Sequence, residues 1–186
     1  DMTDKQRVVL LSSMTDEVGQ LVLSDNYQQT GAVSLEASMG FEMLNAHGQL
    51  IRKMEAAGAL DRNIEFLPDD KNLAERTQMR VGLTSPELSV LLAYTKITLK
   101  EAILASKLPD APELQQLIAE YFPTALVKQC SDQIPTHPLK REIVTTQLVN
   151  RLVNRMGTCF TMQIGDETGA DVAQIAAAWY AASQLL

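Results

Sequence analysis

Apolar residues recur along this chain every three or four positions, and the alternation that a half-buried strand requires is almost absent. The pattern predicts an all-α fold of about eight or nine helices in an orthogonal or bundle-like array, with no sheet. A short helix is expected over Thr3 to Ser13. Thr15 then reads as the N-cap of a second, with Asp16 and Glu17 at its positive end and Val18, Leu21 and Val22 along one side. Another covers Asp25 to Ser38. A longer one spans Gly40 to Ala57, its turns marked by Phe41, Leu44, Gly48, Ile51 and Glu55, and Ala57-Gly58 is its stop.

From Ala59 to Asp70 the helical period lapses, and Pro68-Asp69-Asp70 marks this stretch as a connection. Residues 1–186 are expected to form one helical segment, and any subdivision would separate N-terminal helices over 1–58 from a main helical body over 71–186 at this connection, 59–70. A helix resumes near Asn72 and ends at Gly82. The strongest start signal follows. Thr84 is placed to cap the amide of Glu87, Glu87 to reach back to Thr84, and Leu83 to pack on Leu88, while Pro86 sits in the first turn. The helix so opened runs to about Ser106. Leu88, Leu91, Leu92, Leu99, Ala102 and Ile103 form its apolar stripe, broadened by Val90, Ala93 and Ile97, which predicts a central, largely buried helix.

Asp110-Ala111-Pro112-Glu113-Leu114 repeats the same start device for a helix to about Tyr121, and a short helix holds Leu126, Val127 and Cys130. Beyond Pro135 and Pro138 a long helix is expected from Leu139 to Ile164, on the spacing of Val149, Leu152, Val153, Met156 and Phe160. The last helix starts near Asp171 and turns Val172, Ile175, Ala176, Trp179 and Leu186 to one side. The last helix reaches Leu186 with no cap signal and the chain opens Asp1-Met2 with no initiator in first place, so a segment of a longer polypeptide is expected.

Charge and chemistry narrow the function. A net charge of −7 argues against a nucleic-acid partner, which requires a basic face. No apolar run is long enough for a membrane span, and Cys130 and Cys159, with no CxxC or Cys/His cluster, read as reduced thiols in a cytoplasmic protein. No metal site is expected, because His47 and His137 are the only histidines and stand far apart; His47 reads as a packed residue. No cofactor loop is expected either. Gly165 and Gly169 are the closest glycine pair, so neither GxGxxG nor a P-loop exists. No serine occupies a nucleophile elbow, and no catalytic residue is assigned.

The one unusual stretch runs from His137 to Arg155. Asn150 and Asn154 stack one turn apart, Arg151 and Arg155 do the same, and Ile143, Gln147, Asn150 and Asn154 track one side. This face is either solvated or an interdomain surface built from His137, Arg141, Glu142, Asn150, Arg151, Asn154 and Arg155, whose amides and guanidinium forks suit hydrogen bonding to another domain.

Several runs carry a resemblance. Met14-Thr15-Asp16-Glu17-Val18, Asp25-Asn26-Tyr27-Gln28, Gly82-Leu83-Thr84, Pro86-Glu87-Leu88, Leu91-Leu92-Ala93-Tyr94, Tyr121-Phe122-Pro123, His137-Pro138-Leu139-Lys140-Arg141-Glu142-Ile143 and Val153-Asn154-Arg155-Met156-Gly157 come in order along nearly the whole chain. The chain resembles the C-terminal helical region of the large bacterial NAD-specific glutamate dehydrogenases. The resemblance implies a parent enzyme that converts L-glutamate, NAD and water to 2-oxoglutarate, ammonia and NADH. It places the NAD site and the catalytic residues in polypeptide upstream, and implies the catalytic domain of the same polypeptide as partner and a homo-oligomeric parent. Gly19, where the family has alanine, and Thr158-Cys159 and Met162-Gln163, in place of Pro-Thr and a basic stretch, depart from the pattern. The competing expectation is a free-standing helical adaptor that presents a groove to a partner helix.

Overall fold

Between Asp4 and Met39 no proline and no left-handed residue interrupts the backbone, and one helix of 36 residues, about 54 Å long, runs through it. The structure, a computed structural model, describes residues 2–185. Its helices are α1 (Asp4–Met39), α2 (Leu44–Ala56), α3 (Asp70–Met79), α4 (Ser85–Leu104), α5 (Gln116–Tyr121), α6 (Thr124–Gln129), α7 (Lys140–Met156), α8 (Phe160–Thr168) and α9 (Val172–Ser183), joined in part by 3-10 turns. Among the described residues there is no strand, so the all-α expectation holds. Leu186, assigned above to the apolar side of the last helix, lies outside the described residues.

The expected division of the first segment into three helices is corrected. Thr3 is the cap, in a reciprocal box with Gln6. Thr15 does not cap; its hydroxyl donates to the Leu11 carbonyl one turn back, at 3.2 Å, a bond compatible with a continuing helix. Glu17 does sit at a positive helix end, but that of α6: its carboxylate accepts the Thr124 amide at 3.0 Å and the Thr124 hydroxyl at 2.7 Å. Those contacts hold the carboxyl below the usual carboxylate range, chiefly through the Thr124 hydroxyl. Gly19 lies inside α1 with nothing within 4 Å of an added Cβ. Gly19→Ala is therefore expected to strengthen α1 by about 0.5–1 kcal/mol. Slower amide exchange over residues 10–28 of this chain is the check; unchanged or faster exchange would count against it.

α4 is the central helix. Leu88 and Leu91 pack into one core cluster with Leu44, Leu50, Ile51 and Met54 of α2 and Leu73 of α3. Leu92, Leu99 and Ile103 pack into another with Leu117 and Ile118 of α5, Val144, Leu148, Leu152 and Val153 of α7, and Ala176 and Tyr180 of α9. Three members of the expected broad stripe, Ala93, Ile97 and Ala102, face outward instead. The non-helical stretch after Gly58 carries Leu60 and Leu67 into the α2 and α3 cluster, and Arg62 fastens it through Glu55 and the Pro68 carbonyl.

The start of α4 forms as its sequence demands. Glu87 accepts from the Thr84 amide and hydroxyl at 2.7 and 2.8 Å, and Leu83 and Leu88 are buried in the same cluster. Arg76 of α3 then grips both oxygens of Glu87, each at 2.7 Å. Glu87→Ala removes a cap and strands a half-buried guanidinium, for an expected loss of about 2 kcal/mol in a denaturant titration; a loss indistinguishable from that of an exposed glutamate would refute the role.

Two other expectations are corrected. Asp110 does not open a helix, because its carboxylate is taken by Arg141; the chain makes 3-10 turns at Leu108–Asp110 and Pro112–Leu114 before α5 begins. The predicted helix from Leu139 to Ile164 is broken at Gly157, whose φ of 84° and ψ of 175° are open to glycine alone, and α8 starts afresh at Phe160. α9 starts at the expected place, and Asp171 caps it in a box with Gln174. α3 begins at Asp70 behind the Asp69 cap and ends before Gly82, at Arg80 in the left-handed region.

Candidate interaction surface

The residues singled out on and before α7 have separate fates. His137 stands before the helix, its ring tilted against Phe122 and its Nδ1 accepting the Leu139 amide at 3.1 Å. Arg141 donates to the carbonyls of Leu104 and Ser106, both at 2.9 Å, and pairs with Asp110, so its guanidinium closes the negative end of α4. Arg151 pairs with Glu120 of α5. Glu142 is exposed in the first turn of α7 and Arg155 is exposed in its last, each at the helix end that favours its charge. Asn150 is half-buried.

Asn154 and Arg155 meet something the sequence reading passed over. They line a small cleft of about 60 Å³ together with Ala32, Leu35, Glu36, Met39 and Gly157. Glu36 of α1 is 4% exposed and stands where three segments meet. Its carboxylate accepts the Thr158 hydroxyl at 3.0 Å and the Thr158 amide at closer range, and lies 3.3 Å from Nε2 of the fully buried His47 on α2. Burial raises the Glu36 carboxyl's pKa, but the His47 ring and the Thr158 N–H and O–H outweigh it and hold the value below the ordinary 4.5. The glycine break after α7 exists for this carboxylate: a Cβ at Gly157 would stand 2.6 Å from Glu36 Oε1. The sequence held a signal. Glu36 falls on the same helical face as Ala32 and Val33, one turn from them, and a carboxylate beside those apolar positions at the end of the helix marks a buried partner.

Cys159 and His47 are both enclosed. Burial pushes the Cys159 thiol up to about 12, far from thiolate formation at neutral pH. His47 is 1% exposed and faces a carboxylate that is already bonded to Thr158. Gly165 and Gly169 do not fit a dinucleotide phosphate: the Gly169 amide donates to the Gly165 carbonyl at 2.8 Å, closing α8, and a Cβ on Gly165 would meet the Ala170 carbonyl at 3.4 Å. Among the described residues no group of three or more His, Cys, Asp and Glu is placed to hold a metal, and no helix is long and apolar enough to cross a membrane.

Fold and surface together define an all-helical module in which a long leading helix is strapped to the body through a buried carboxylate. The chain belongs to the glutamate dehydrogenase C-terminal family, whose model, "Glutamate dehydrogenase, C-terminal", matches residues 80–186. A second model, "Bacterial NAD-glutamate dehydrogenase, catalytic domain", matches residues 1–36, nearly the whole of α1. The chain is 47% identical over 179 residues to the NAD-specific glutamate dehydrogenase of Halomonas elongata, covering 96% of this chain and 11% of that protein. The NAD-specific glutamate dehydrogenase of Pseudomonas aeruginosa gives the same figures, and that of Mycobacterium tuberculosis is 41% identical over 164 residues, 88% of this chain and 10% of that protein. The chain thus spans about a tenth of the length of the curated relatives it matches.

Proposed function

We propose that this chain is the non-catalytic helical part of an NAD-dependent glutamate dehydrogenase, the oxidative deamination of L-glutamate to 2-oxoglutarate being carried out by polypeptide upstream. In this reading the helical body packs on the catalytic domain of the same cytoplasmic polypeptide and supports assembly of an oligomer. It also limits how far the dinucleotide-binding region travels, a motion that commonly gates turnover in domain-closing enzymes. The observation that carries the reading is the continuity of α1: one unbroken helix leads from a stretch matching the catalytic-domain model into the body, where Glu36 fastens it to α2 and to the start of α8. Glu142 and Arg155, both exposed, are the members of the α7 set free to reach a neighbouring domain.

The test uses the full-length polypeptide carrying Leu148→Asp, which sets a carboxylate at a fully buried position of the body. Glutamate-dependent NADH formation or oligomer assembly is expected to fall sharply while NADH binding is retained. Turnover and assembly both unchanged in a variant whose body has lost its thermal transition would end the proposal.

A further inference from the structure

α1 leaves bare the side chains that a helix of its composition normally covers. Leu11, Val18 and Val22, spaced by seven and four, track one face and are 56%, 43% and 54% exposed. Val9, Leu23 and Tyr27 track the opposite face and are 69%, 69% and 81% exposed. Helix α6 touches α1 along a third side, through Glu17 and Thr124. A surface helix keeps its apolar residues in one stripe. α1 instead carries uncovered apolar residues on opposite faces, interspersed with Arg7 and Asp25 on one and Asp16 and Gln20 on the other. Large apolar side chains bare on two sides call for cover on both.

We propose that residues 4–31 of α1 form a core helix of the catalytic domain, both apolar faces being covered by elements of that domain that lie outside this chain. The occupant follows from three observations. Residues 1–36 match the catalytic-domain model, so this helix carries that domain's sequence while the rest of the domain is elsewhere. The curated relatives extend far beyond the matched region, which supplies the polypeptide required. A second copy of the chain does not suit the surface. A coiled-coil seam calls for about three to four apolar heptads, but Leu11, Met14, Val18 and Leu21 give way at the next seam positions to Asp25 and Gln28. A paired helix would also cover one face and leave Val9, Leu23 and Tyr27 bare.

The consequence is a helix shared by two cores. Its leading turns are buried in the catalytic domain and its last turns, from Ala32 to Glu36, in the helical body. This inference rests on the reading that the parent is a glutamate dehydrogenase with its catalytic domain in the same polypeptide.

The experiment compares amide exchange over residues 8–27 in the full-length polypeptide and in this chain, and adds Val18→Glu and Leu23→Glu, one per face, to the full-length protein. Exchange is expected to slow by about tenfold or more in the full-length protein. Each substitution is expected to restore fast exchange there and to lower glutamate-dependent NADH formation. Equal exchange in the two proteins overturns the proposal, as does tolerance of glutamate on either face. Slowing that appears in this chain alone as its concentration rises also overturns it, in favour of self-association. Full-length protein that protects α1 on both faces yet never oxidises glutamate would remove the enzymatic reading and leave the burial of α1 standing.

Discussion

Glu36→Ala is expected to cost the fold about 3–5 kcal/mol, because two buried donors of Thr158 are left without an acceptor at about 1–3 kcal/mol each and the packing of the side chain goes with them. The Thr158 amide and hydroxyl would lose their acceptor in a nearly buried site, the His47 ring would lose the carboxylate beside it, and the covering backbone at Gly157 would lose its contact. A denaturant titration of this chain measures it; a loss under about 1 kcal/mol, typical of a surface substitution, would show that the carboxylate is not a strap. The same site sets a pH dependence. Because the folded-state pKa of Glu36 lies below the ordinary 4.5, its contribution is fully present above that value and disappears as pH falls through the lowered folded value. Glu36→Gln should accordingly flatten the loss of stability on the acid side of pH 4.5.

The second large effect is expected at Gly82. A Cβ there would stand 2.5 Å from the carbonyl carbon and oxygen of Gly40 and 2.8 Å from its Cα, and backbone cannot step aside as a flexible side chain does. At this point the α3–α4 connection crosses the turn between α1 and α2, so Gly82→Ala wedges two segments apart and is expected to cost about 3 kcal/mol. Gly31→Ala is the control, since nothing lies within 4 Å of its Cβ, and it should lose no stability. A lower thermal midpoint for Gly82→Ala alone is the expected pattern; equal behaviour of the two variants would show that the close approach is absent in solution.

What was legible in the sequence follows from where each residue finds its partner. The Thr84 and Glu87 box, the Asp171 cap and the Ala57-Gly58 stop are satisfied within four residues, so their chemistry is visible in a short window. The central position of α4 was readable from the width of its apolar surface. The break at Gly157 was not, because the apolar spacing continues across it and the carboxylate that takes the Thr158 amide lies on α1. Glu17 was assigned to the start of a helix at Thr15 that does not exist; the helix end its carboxylate serves lies over a hundred residues along the chain and left no trace in a local window. The division of α1 had a further cause. Its apolar residues occur on several sides, and periodicity read as one stripe per helix divided a single helix into three. On α7 the spacing of Arg141 and Arg151 was visible, while the groups that engage them, the end of α4 and Glu120, were not.

In the proposed function the reacting groups lie outside these helices, and the helices brace the domain containing them. The most direct measurement is a titration of NADH into this 186-residue chain while circular dichroism shows it helical, followed by an assay for glutamate-dependent NADH formation. No saturable binding and no turnover are expected. Saturable NADH binding by this chain, or formation of NADH from NAD and glutamate in its presence alone, would contradict the proposed function.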